Sequence, residues 1–344
     1  MSRKLRIYLA ATFVILTAVL LIWFKLSQPR ILVLHSYGVD YAWARDISTE
    51  LRRVLEPKLR YQLHWHYMDT KNHPGPEHMR RAAAVARRAI ESIKPDVIIA
   101  VDDDAQEYVV KAFVDHPGIS IVFAGINGEI EPYGYHKARN ATGILERKPF
   151  ADLRDALAAM RLAHGGPIGT RVLHLGDRST SVLVDTVELE SLEWAPLKLV
   201  GTRLADTAEE WRRVVEAAAS EADVLLVSNY HNLYRDASRT TLVPPEQIVR
   251  WTETHSRIPI VGIGGFFVED GGMFAVGASG FEQGNAAGRM TIRILDEEAQ
   301  PGSIPIVHPK QFIVYMRRGL LEKRGISMPR LYESFARATN NYLE

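Results

Sequence analysis

Polar and aromatic residues follow most of the apolar, strand-like runs of this chain. In open parallel sheets, ligands bind outside the carboxyl ends of the strands, so residues in these positions are candidates for a site. Hydroxyls, amides, carboxylates and aromatic rings together suit a small polar or amphipathic ligand. The groups are His35-Ser36-Tyr37 with Asp40, Tyr41 and Trp43; Asp102-Asp103-Asp104; Ala124-Gly125-Ile126-Asn127; Gly176-Asp177-Arg178-Ser179-Thr180-Ser181; Ser228-Asn229-Tyr230-His231; and Gly262-Ile263-Gly264-Gly265-Phe266-Phe267.

Each group also has a purely structural explanation. One of the three aspartates from Asp102 to Asp104 is expected to cap the following helix, where a carboxylate meets free amides and the positive end of the dipole. A ligand-facing role for at least one of them stays open. Ser179 could cap a helix or contact an anion. Trp43 could pack in the core, and Gly264 could serve turn geometry alone.

Other chemistries find less support in the sequence. His64 and His66 share one face of a predicted strand, but no carboxylate or further histidine stands at matching spacing for a metal site. The run from Gly262 to Phe267 begins like a dinucleotide loop, yet it lacks the third glycine and no helix is predicted to follow at once. No nucleophile and base stand in a recognisable pattern. We therefore expect no metal, no cofactor and no enzymatic activity.

These residues are positioned by two series of alternating strands and helices. Alternation of this kind predicts an α/β protein with parallel sheets covered on both faces by helices. The two series are joined near residues 141–149, which predicts two similar lobes. The predicted strands are residues 31–34, 63–68, 97–101 and 119–123 in the first series, and 171–175, 197–201, 224–227 and 258–261 in the second.

The tail after residue 281 breaks the alternation. A long helix is predicted from Glu282 to Glu298, followed by strands at 304–307 and 312–316 and a short helix at 317–323. We expect the chain to cross back here and complete the first lobe. Hinge segments are predicted near residues 145–149, 281–283 and 307–311.

An apolar run from Ile7 to Phe24 precedes both series and contains no charge. Its length is close to the ~20 residues that cross a bilayer core. Three cations precede it and only Lys25 and Arg30 follow closely, which favours a cytoplasmic amino terminus. We expect an uncleaved signal anchor in residues 1–30; the alternative is a signal peptide cleaved near Ser27. Either form exports the remainder.

Composition narrows the class further. An apolar content of 47% and a charged content of 24% are typical of a globular protein. The net charge of +1 gives no reason to expect nucleic acid as a partner. The chain has no cysteine, which excludes lipoprotein processing, disulfides and thiolate metal sites. With the anchor, this favours a bacterial inner-membrane protein, single pass, with its main domain in the periplasm.

Several motifs in a fixed order resemble the substrate-binding proteins of ABC transporters, in the branch that includes tryptophan- and tyrosine-binding members. Similar domains serve as extracellular sensors of kinases and cyclases. The resemblance covers residues 31 to about 338. The motifs are His35-Ser-Tyr-Gly-Val-Asp-Tyr-Ala-Trp43, Val101-Asp-Asp-Asp-Ala105, Phe123-Ala-Gly-Ile-Asn127, Gly271-Gly-Met-Phe-Ala-Val-Gly277, Phe281-Glu-Gln-Gly284 and Gly325-Ile-Ser-Met-Pro329.

The resemblance implies a type I periplasmic-binding-protein fold with a ligand cleft between two lobes. It implies lobe 1 in residues 31–145 plus 283–310, lobe 2 in 146–282, and a C-terminal crossover segment in 311–344. The bulky residues 266–270 depart from the family pattern and leave ligand size open. Carried over by position, the ligand-binding candidates are Ser36, Tyr37, Trp43, Asp102, Asp103, Asn127, Asp177, Ser179, Asn229, Tyr230 and Gly264.

Three functions follow as hypotheses. The first is a membrane-anchored solute-binding protein that delivers a small, amino-acid-like ligand to an inner-membrane ABC permease. The second is a sensing module that signals to a separate membrane kinase or cyclase. The third, an exported enzyme on the same scaffold, has no catalytic constellation to support it.

Overall fold

The computed structural model describes residues 3–344 and begins with one long apolar helix, α1 (Arg3–Ser27). The segment Tyr8–Ser27 has a mean hydropathy of 2.3, and none of it is buried by the rest of the chain. A helix of 20 residues spans about 30 Å, the thickness of a bilayer core. By length and composition, α1 can therefore cross a membrane, although a signal sequence has the same properties.

The first lobe is built on a five-stranded parallel sheet with the order β2-β1-β3-β4-β5. Its central strands are buried along almost their whole length, as expected for a sheet covered on both faces. The predicted strands of the first series are confirmed. The elements are β1 (Arg30–His35), α2 (Ala42–Leu55), β2 (Gln62–Tyr67), α3 (Pro76–Ile93), β3 (Val97–Val101), α4 (Asp103–Tyr108), β4 (Ser120–Ile126) and β5 (Ala141–Leu145).

The second lobe contains a seven-stranded sheet with the order β14-β12-β11-β10-β9-β7-β8. Strand β12 runs antiparallel to β11, so this sheet is mixed rather than wholly parallel. The elements are α5 (Phe150–Ala159), β6 (Arg161–Leu162), β7 (Arg171–Asp177), α6 (Thr180–Ser191), β8 (Lys198–Ala205), α7 (Ala208–Glu221), β9 (Val224–Val227), α8 (Pro245–His255), β10 (Ile260–Gly262), α9 (Gly265–Glu269), β11 (Phe274–Ala278), β12 (Phe312–Arg317), α11 (Arg318–Lys323), β13 (Ile326–Ser327), α12 (Arg330–Ala338) and β14 (Tyr342–Leu343).

Three expectations for the second half need correction. The strand predicted at residues 304–307 does not form, since only Val307 makes an isolated bridge, to Ile144. Helix α9 begins at Gly265, directly after the glycine turn, where no helix was predicted. The tail returns to the first lobe through α10 (Gly280–Asp296) and through residues 301–307, where Ile304 is buried in the first-lobe core and Val307 bridges Ile144. Strand β12 instead pairs with β11, whose apolar residues would otherwise form an open sheet edge. The lobe boundaries at 145, 282 and 310 stay a prediction.

Helix α10 lies unusually close to α2 because three glycines face it. A Cβ on Gly284 would lie 2.5 Å from the carbonyl oxygen of Ile47, and one on Gly288 would lie 2.8 Å from Val54 Cγ1. Gly280 has a similar clash with Asp46, at 2.9 Å from its Cβ. We call Gly280, Gly284 and Gly288 the glycine stripe. The glycine stripe sets the distance between α2 and α10. The first turn of α2 reaches the space between the lobes.

Candidate functional site

A cavity of about 80 Å³ lies between the lobes, at the carboxyl ends of the parallel strands. This is the position where open α/β sheets bind ligands. Aromatic rings, two lysines and three carboxylates contribute to its wall. The lining residues are Tyr37, Tyr41, Ala42, Trp43, Asp46, Lys71, Asn127, Glu146, Lys148, Ser181, Asp185, Asn229, Ile263, Gly264, Gly265, Phe266, Ala278 and Tyr315.

Aromatic rings from both lobes meet at one side of the cavity. The Tyr41 ring of the first lobe stacks on Phe266 of the second, with 6.4 Å between their centroids. It meets Tyr37 edge-on at 5.2 Å and His231 edge-on at 5.9 Å. Such rings offer apolar contact area and edges that suit a planar or aliphatic side chain. Tyr41 and Phe266 therefore join the two lobes on this side.

Lys71 brings a cation to the aromatic side from the segment after β2. Its Nζ lies 5.0 Å from the centroid of Tyr37 and 5.7 Å from that of Tyr41. Burial lowers the pKa of Lys71, while Asp177, Asp102 and Asp104 oppose that shift from a distance. Among residues 3–344, no carboxylate oxygen lies within 4.0 Å of this ammonium group. Lys71 is thus a cation without a direct ionic partner.

Lys148 is in a different position, because it is paired. Its Nζ lies 2.5 Å from Asp185 Oδ1, and the two side chains are 15% and 5% exposed. Burial alone would lower the pKa of Lys148, but Asp185 and Glu146 raise it above its ordinary value. Burial raises the pKa of Asp185, against the opposing effect of Lys148. This pair holds the segment after β5 against α6 of the second lobe.

Two further carboxyl groups line the cavity without hydrogen-bond partners. Burial raises the pKa of Glu146 to about 7, although Lys148 opposes the shift. Burial likewise raises the pKa of Asp46 to about 6, against Arg45. Within residues 3–344, no hydrogen bond reaches either carboxyl group. Each therefore has acceptor capacity that a ligand's ammonium group could use.

Asp102 lies directly behind this wall rather than in it. The residue is fully buried and has a left-handed φ of 65°. Its Oδ1 accepts a hydrogen bond from Trp43 Nε1 at 2.8 Å, while Oδ2 is buried without a partner among the described residues. Burial raises the pKa of Asp102 well above its ordinary range. Asp102 holds the Trp43 ring at the cavity.

Ser36 and Asp103 also support the wall from behind. The Ser36 hydroxyl donates to the carbonyl of Val101 at 2.7 Å and accepts from the amide of Ala105 at 2.8 Å. Asp103 accepts from Asn127 Nδ2 at 3.0 Å and from the Asn127 amide at 3.2 Å. The hydrogen bond from Ala105 to Ser36 fixes the start of α4, and the two hydrogen bonds to Asp103 orient Asn127.

On the second lobe, Asp177 organises the loop ends. Its Oδ2 accepts from Asn229 Nδ2 at 2.7 Å, and its Oδ1 accepts from the amide and hydroxyl of Ser179 at 3.0 and 2.5 Å. Tyr230 is fully buried and donates its hydroxyl proton to Asp270 Oδ2 at 2.6 Å. Asn229 therefore faces the cavity. Asp177 and Ser179 position it, and Tyr230 packs beneath the cavity wall.

Of the candidates chosen from the sequence, Tyr37, Trp43, Asn127, Asn229 and Gly264 line the cavity. Behind the lining lie Ser36, Asp102, Asp103, Asp177, Ser179 and Tyr230. Ligand contact by any of them stays a prediction.

Several lining residues were missed. Lys71, Glu146 and Lys148 come shortly after strands β2 and β5, so the carboxyl-end rule could have found them if it had been applied there. Asp46, Asp185 and Tyr315 come from helices and from β12, where no such signal exists. Tyr41, Ser181 and Phe266 belong to the strand-end groups but were not among the chosen candidates.

No group of three or more potential metal ligands occurs among residues 3–344.

Comparison with known proteins supports the resemblance seen in the motifs. Residues 176–337 match the sequence model of a family described as ABC transporter substrate binding protein. No curated protein matches the sequence. The family match confirms the predicted resemblance for this part of the chain. The family is one of solute-binding proteins, a non-enzymatic class, in agreement with the prediction that the chain is not an enzyme.

Solved structures share the fold at low sequence identity. An ABC domain from Streptococcus pneumonia in complex with L-Trp is 15% identical, with a TM-score of 0.66 over 92% of this chain and 100% of that one. A conserved domain protein from Vibrio cholerae is 15% identical, with a TM-score of 0.65 over 92% of this chain and 100% of that one. The ligand-free, open structure of a substrate binding protein with adhesive properties from Clostridium difficile is 15% identical. Its TM-score is 0.60 over 92% of this chain and 99% of that one. The two-lobed α/β fold predicted from the sequence is confirmed.

Proposed function

We propose that this protein is a membrane-anchored, extracytoplasmic solute-binding protein that captures an amino-acid-like zwitterion between its lobes for an ABC transporter. One observation carries the proposal. The interlobe cavity combines a half-buried cation, Lys71, with two carboxyl groups, Glu146 and Asp46; within residues 3–344 the cation has no ionic partner and the carboxyl groups have no hydrogen bond. A buried charge is costly unless it is paired. A ligand carrying both a carboxylate and an ammonium group would satisfy both kinds of group.

The aromatic side of the cavity suits the rest of such a ligand. Tyr37, Tyr41 and Phe266 surround the space next to the Lys71 ammonium group. A ligand carboxylate bound to Lys71 would therefore leave its side chain against these rings. The L-Trp complex of the similar pneumococcal domain supports this choice of ligand class. Capture of such a ligand is binding without a chemical reaction.

Capture would depend on lobe closure. In this proposal the chain crosses between the lobes at residues 146–149, at Ser279 and at residues 308–311. The hinge predicted at residues 281–283 lies inside α10, so the proposed crossing is placed at Ser279 instead. A ligand that contacts Lys71 and Tyr41 from one lobe and Asn229 and Phe266 from the other binds the closed form better than the open one. Such differential affinity shifts the population toward closure.

A panel of related compounds tests the ligand class on the full chain in lipid nanodiscs. L-Tryptophan should raise the melting temperature, because a ligand at 100 times its Kd adds about 2.7 kcal/mol to the unfolding free energy. Tryptamine lacks the carboxylate and 3-indolepropionic acid lacks the ammonium group, so each should stabilise less. D-Ribose should have no effect. Stabilisation by D-ribose, with none by any common amino acid, would contradict the proposal.

The partner is proposed to be an inner-membrane ABC permease. Transport of radiolabelled ligand by cells that carry the neighbouring permease genes should require this protein. Signalling to a membrane kinase or cyclase is the competing hypothesis. It predicts that deletion leaves uptake unchanged and abolishes a ligand-dependent change in phosphorylation or cyclic nucleotide.

A further inference from the structure

The carboxyl end of α1 is hydrogen-bonded to the first lobe at the amino-terminal ends of its strands. Only Gln28 and Pro29 separate α1 from β1. Gln28 Nε2 donates to the carbonyl of Leu59 at 2.8 Å, and Gln62 Nε2 donates to the carbonyl of Lys25 at 2.6 Å. Gln28 itself is buried, at 9% exposure. These contacts leave the helix end little freedom relative to the turn between α2 and β2, residues 56–61.

This turn displays an exposed leucine between two cations. Leu59 is 85% exposed, the highest value among the large apolar side chains of the two lobes. Lys58 and Arg60 flank it and are 44% and 50% exposed. Both face the single carboxylate of Asp296, while Glu56 of the turn pairs with Arg52 of α2, so these five groups together carry one positive charge in excess. An apolar tip with cations beside it matches the headgroup layer of a phospholipid bilayer.

The length of α1 places this turn at the membrane surface. If Tyr8–Ser27 fills the hydrocarbon core, Ser27 lies where the core ends and Lys25 can extend to the headgroups. Leu59 is hydrogen-bonded to the residue after Ser27. We infer that residues 56–61 rest in the lipid headgroup layer, so that the first lobe stands on the bilayer by the amino-terminal edge of its sheet. This inference rests on the anchoring part of the proposed function.

The cavity would then face away from the lipid. It lies at the carboxyl ends of the strands, and a strand of six residues such as β1 spans about 20 Å. The second lobe would lie farther from the membrane than the first. A membrane partner would thus meet first-lobe surfaces first.

The absence of cysteine from the chain allows a direct test. Single variants Leu59→Cys, Val39→Cys and Leu331→Cys are labelled with a nitroxide in the full chain, reconstituted in phospholipid nanodiscs. Val39 follows β1 at the cavity end, and Leu331 lies on α12 of the second lobe; they are 57% and 76% exposed. All three positions are exposed, so the substitutions should not disturb folding.

Collision rates with oxygen, which concentrates in lipid, and with a water-soluble nickel chelate report the surroundings of each label. The label at residue 59 should collide with oxygen several-fold more often, relative to nickel, than the labels at 39 and 331. Equal ratios at all three positions, or a purified chain that lacks α1, would overturn the inference. L-Tryptophan thermal shifts on the same samples test ligand capture separately, since that readout does not depend on orientation.

Discussion

Two lysines contribute to the same cavity, but their surroundings differ. Lys148 is held by Asp185 of the second lobe, and neighbouring carboxylates raise its pKa. Lys71 belongs to the first lobe, lies over tyrosine rings, and has a pKa lowered by burial. The first arrangement is complete without a ligand, whereas the second is not. A charge removed from solvent does not by itself mark a binding residue, because its pairing within the protein decides whether it serves stability or capture.

The largest expected effect is on stability, from Lys148→Met. This change leaves Asp185 buried without its cation, which should lower the free energy of unfolding by about 3 kcal/mol. The double variant Lys148→Met/Asp185→Leu should recover most of the loss. Urea denaturation of the ligand-free chain measures both. The matched control is Lys111→Met, which breaks an exposed pair with Glu107 and should cost below about 1 kcal/mol. Equal losses at 148 and 111 would remove the structural role of Lys148.

The next effect is on affinity, from Lys71→Met. The free energy of unfolding should stay the same or rise, because a half-buried cation without a direct ionic partner is removed. Affinity for L-tryptophan should fall by about 2–3 kcal/mol, roughly 30- to 150-fold, while tryptamine binding stays unchanged. Isothermal titration calorimetry measures both ligands. Lys323→Met on the surface is the control. A loss of stability without a loss of affinity would reverse the roles assigned to the two lysines.

A smaller effect is expected from pH, through Glu146. Its pKa is about 7 in the folded chain against an ordinary 4.5, so the folded state binds more protons than the unfolded state between these values. The buried His35, His174 and His231, whose pKa burial lowers to about 3, 4 and 3, give the free energy of unfolding an upward slope with pH. Glu146 should contribute a downward slope between about pH 4.5 and about pH 7. Glu146→Gln should reduce this slope, and Asp46 should retain part of it, since its pKa is also raised, to about 6.

Thermal denaturation between pH 4.5 and 8 measures the slope. An unchanged slope in Glu146→Gln would show that this carboxyl group does not carry the raised pKa. L-Tryptophan affinity should rise over the same pH range, as Glu146 becomes able to accept the ligand's ammonium group as a carboxylate.

The smallest effect is expected from Asp103→Asn. The variant weakens two hydrogen bonds that orient Asn127 without changing the cavity lining itself. Affinity for L-tryptophan should fall by roughly 1 kcal/mol. Glu107→Gln on the same helix should have no effect on binding. A loss as large as that of Lys71→Met would mean that Asp103 meets the ligand directly.

The sequence predicts most of the fold because the buried strands are continuous apolar runs. Val97–Val101 and Val224–Val227 show this clearly, since every residue of each strand is buried. The sequence predicts a joint between the lobes where strand β5 lies, because Ala141–Leu145 contains small and polar residues. Strand β12 was found, but its pairing was not, since no local pattern states which lobe a strand joins.

The site is harder to predict than the fold. The carboxyl-end rule correctly predicts Tyr37 and Asn229 as lining residues. It also selects Asp102 and Asp177, which are buried behind the residues that line the cavity. Whether a strand-end side chain faces the cavity depends on local backbone angles, such as the left-handed φ of Asp102. The rule cannot supply Asp46 or Tyr315, which reach the cavity only through packing between distant elements.

The glycine stripe has a consequence for how the cavity divides. Gly284 and Gly288 keep α10 in backbone contact with α2, so α10 is expected to travel with the first lobe during any separation of the lobes. Asp46 would stay behind with it, while Tyr315 and Phe266 would depart with the second lobe. A single added methyl group at Gly284 would push α2 outward and shift Asp46 and Trp43 together. Selectivity for the solute would thus be tunable from a helix interface that the solute never touches.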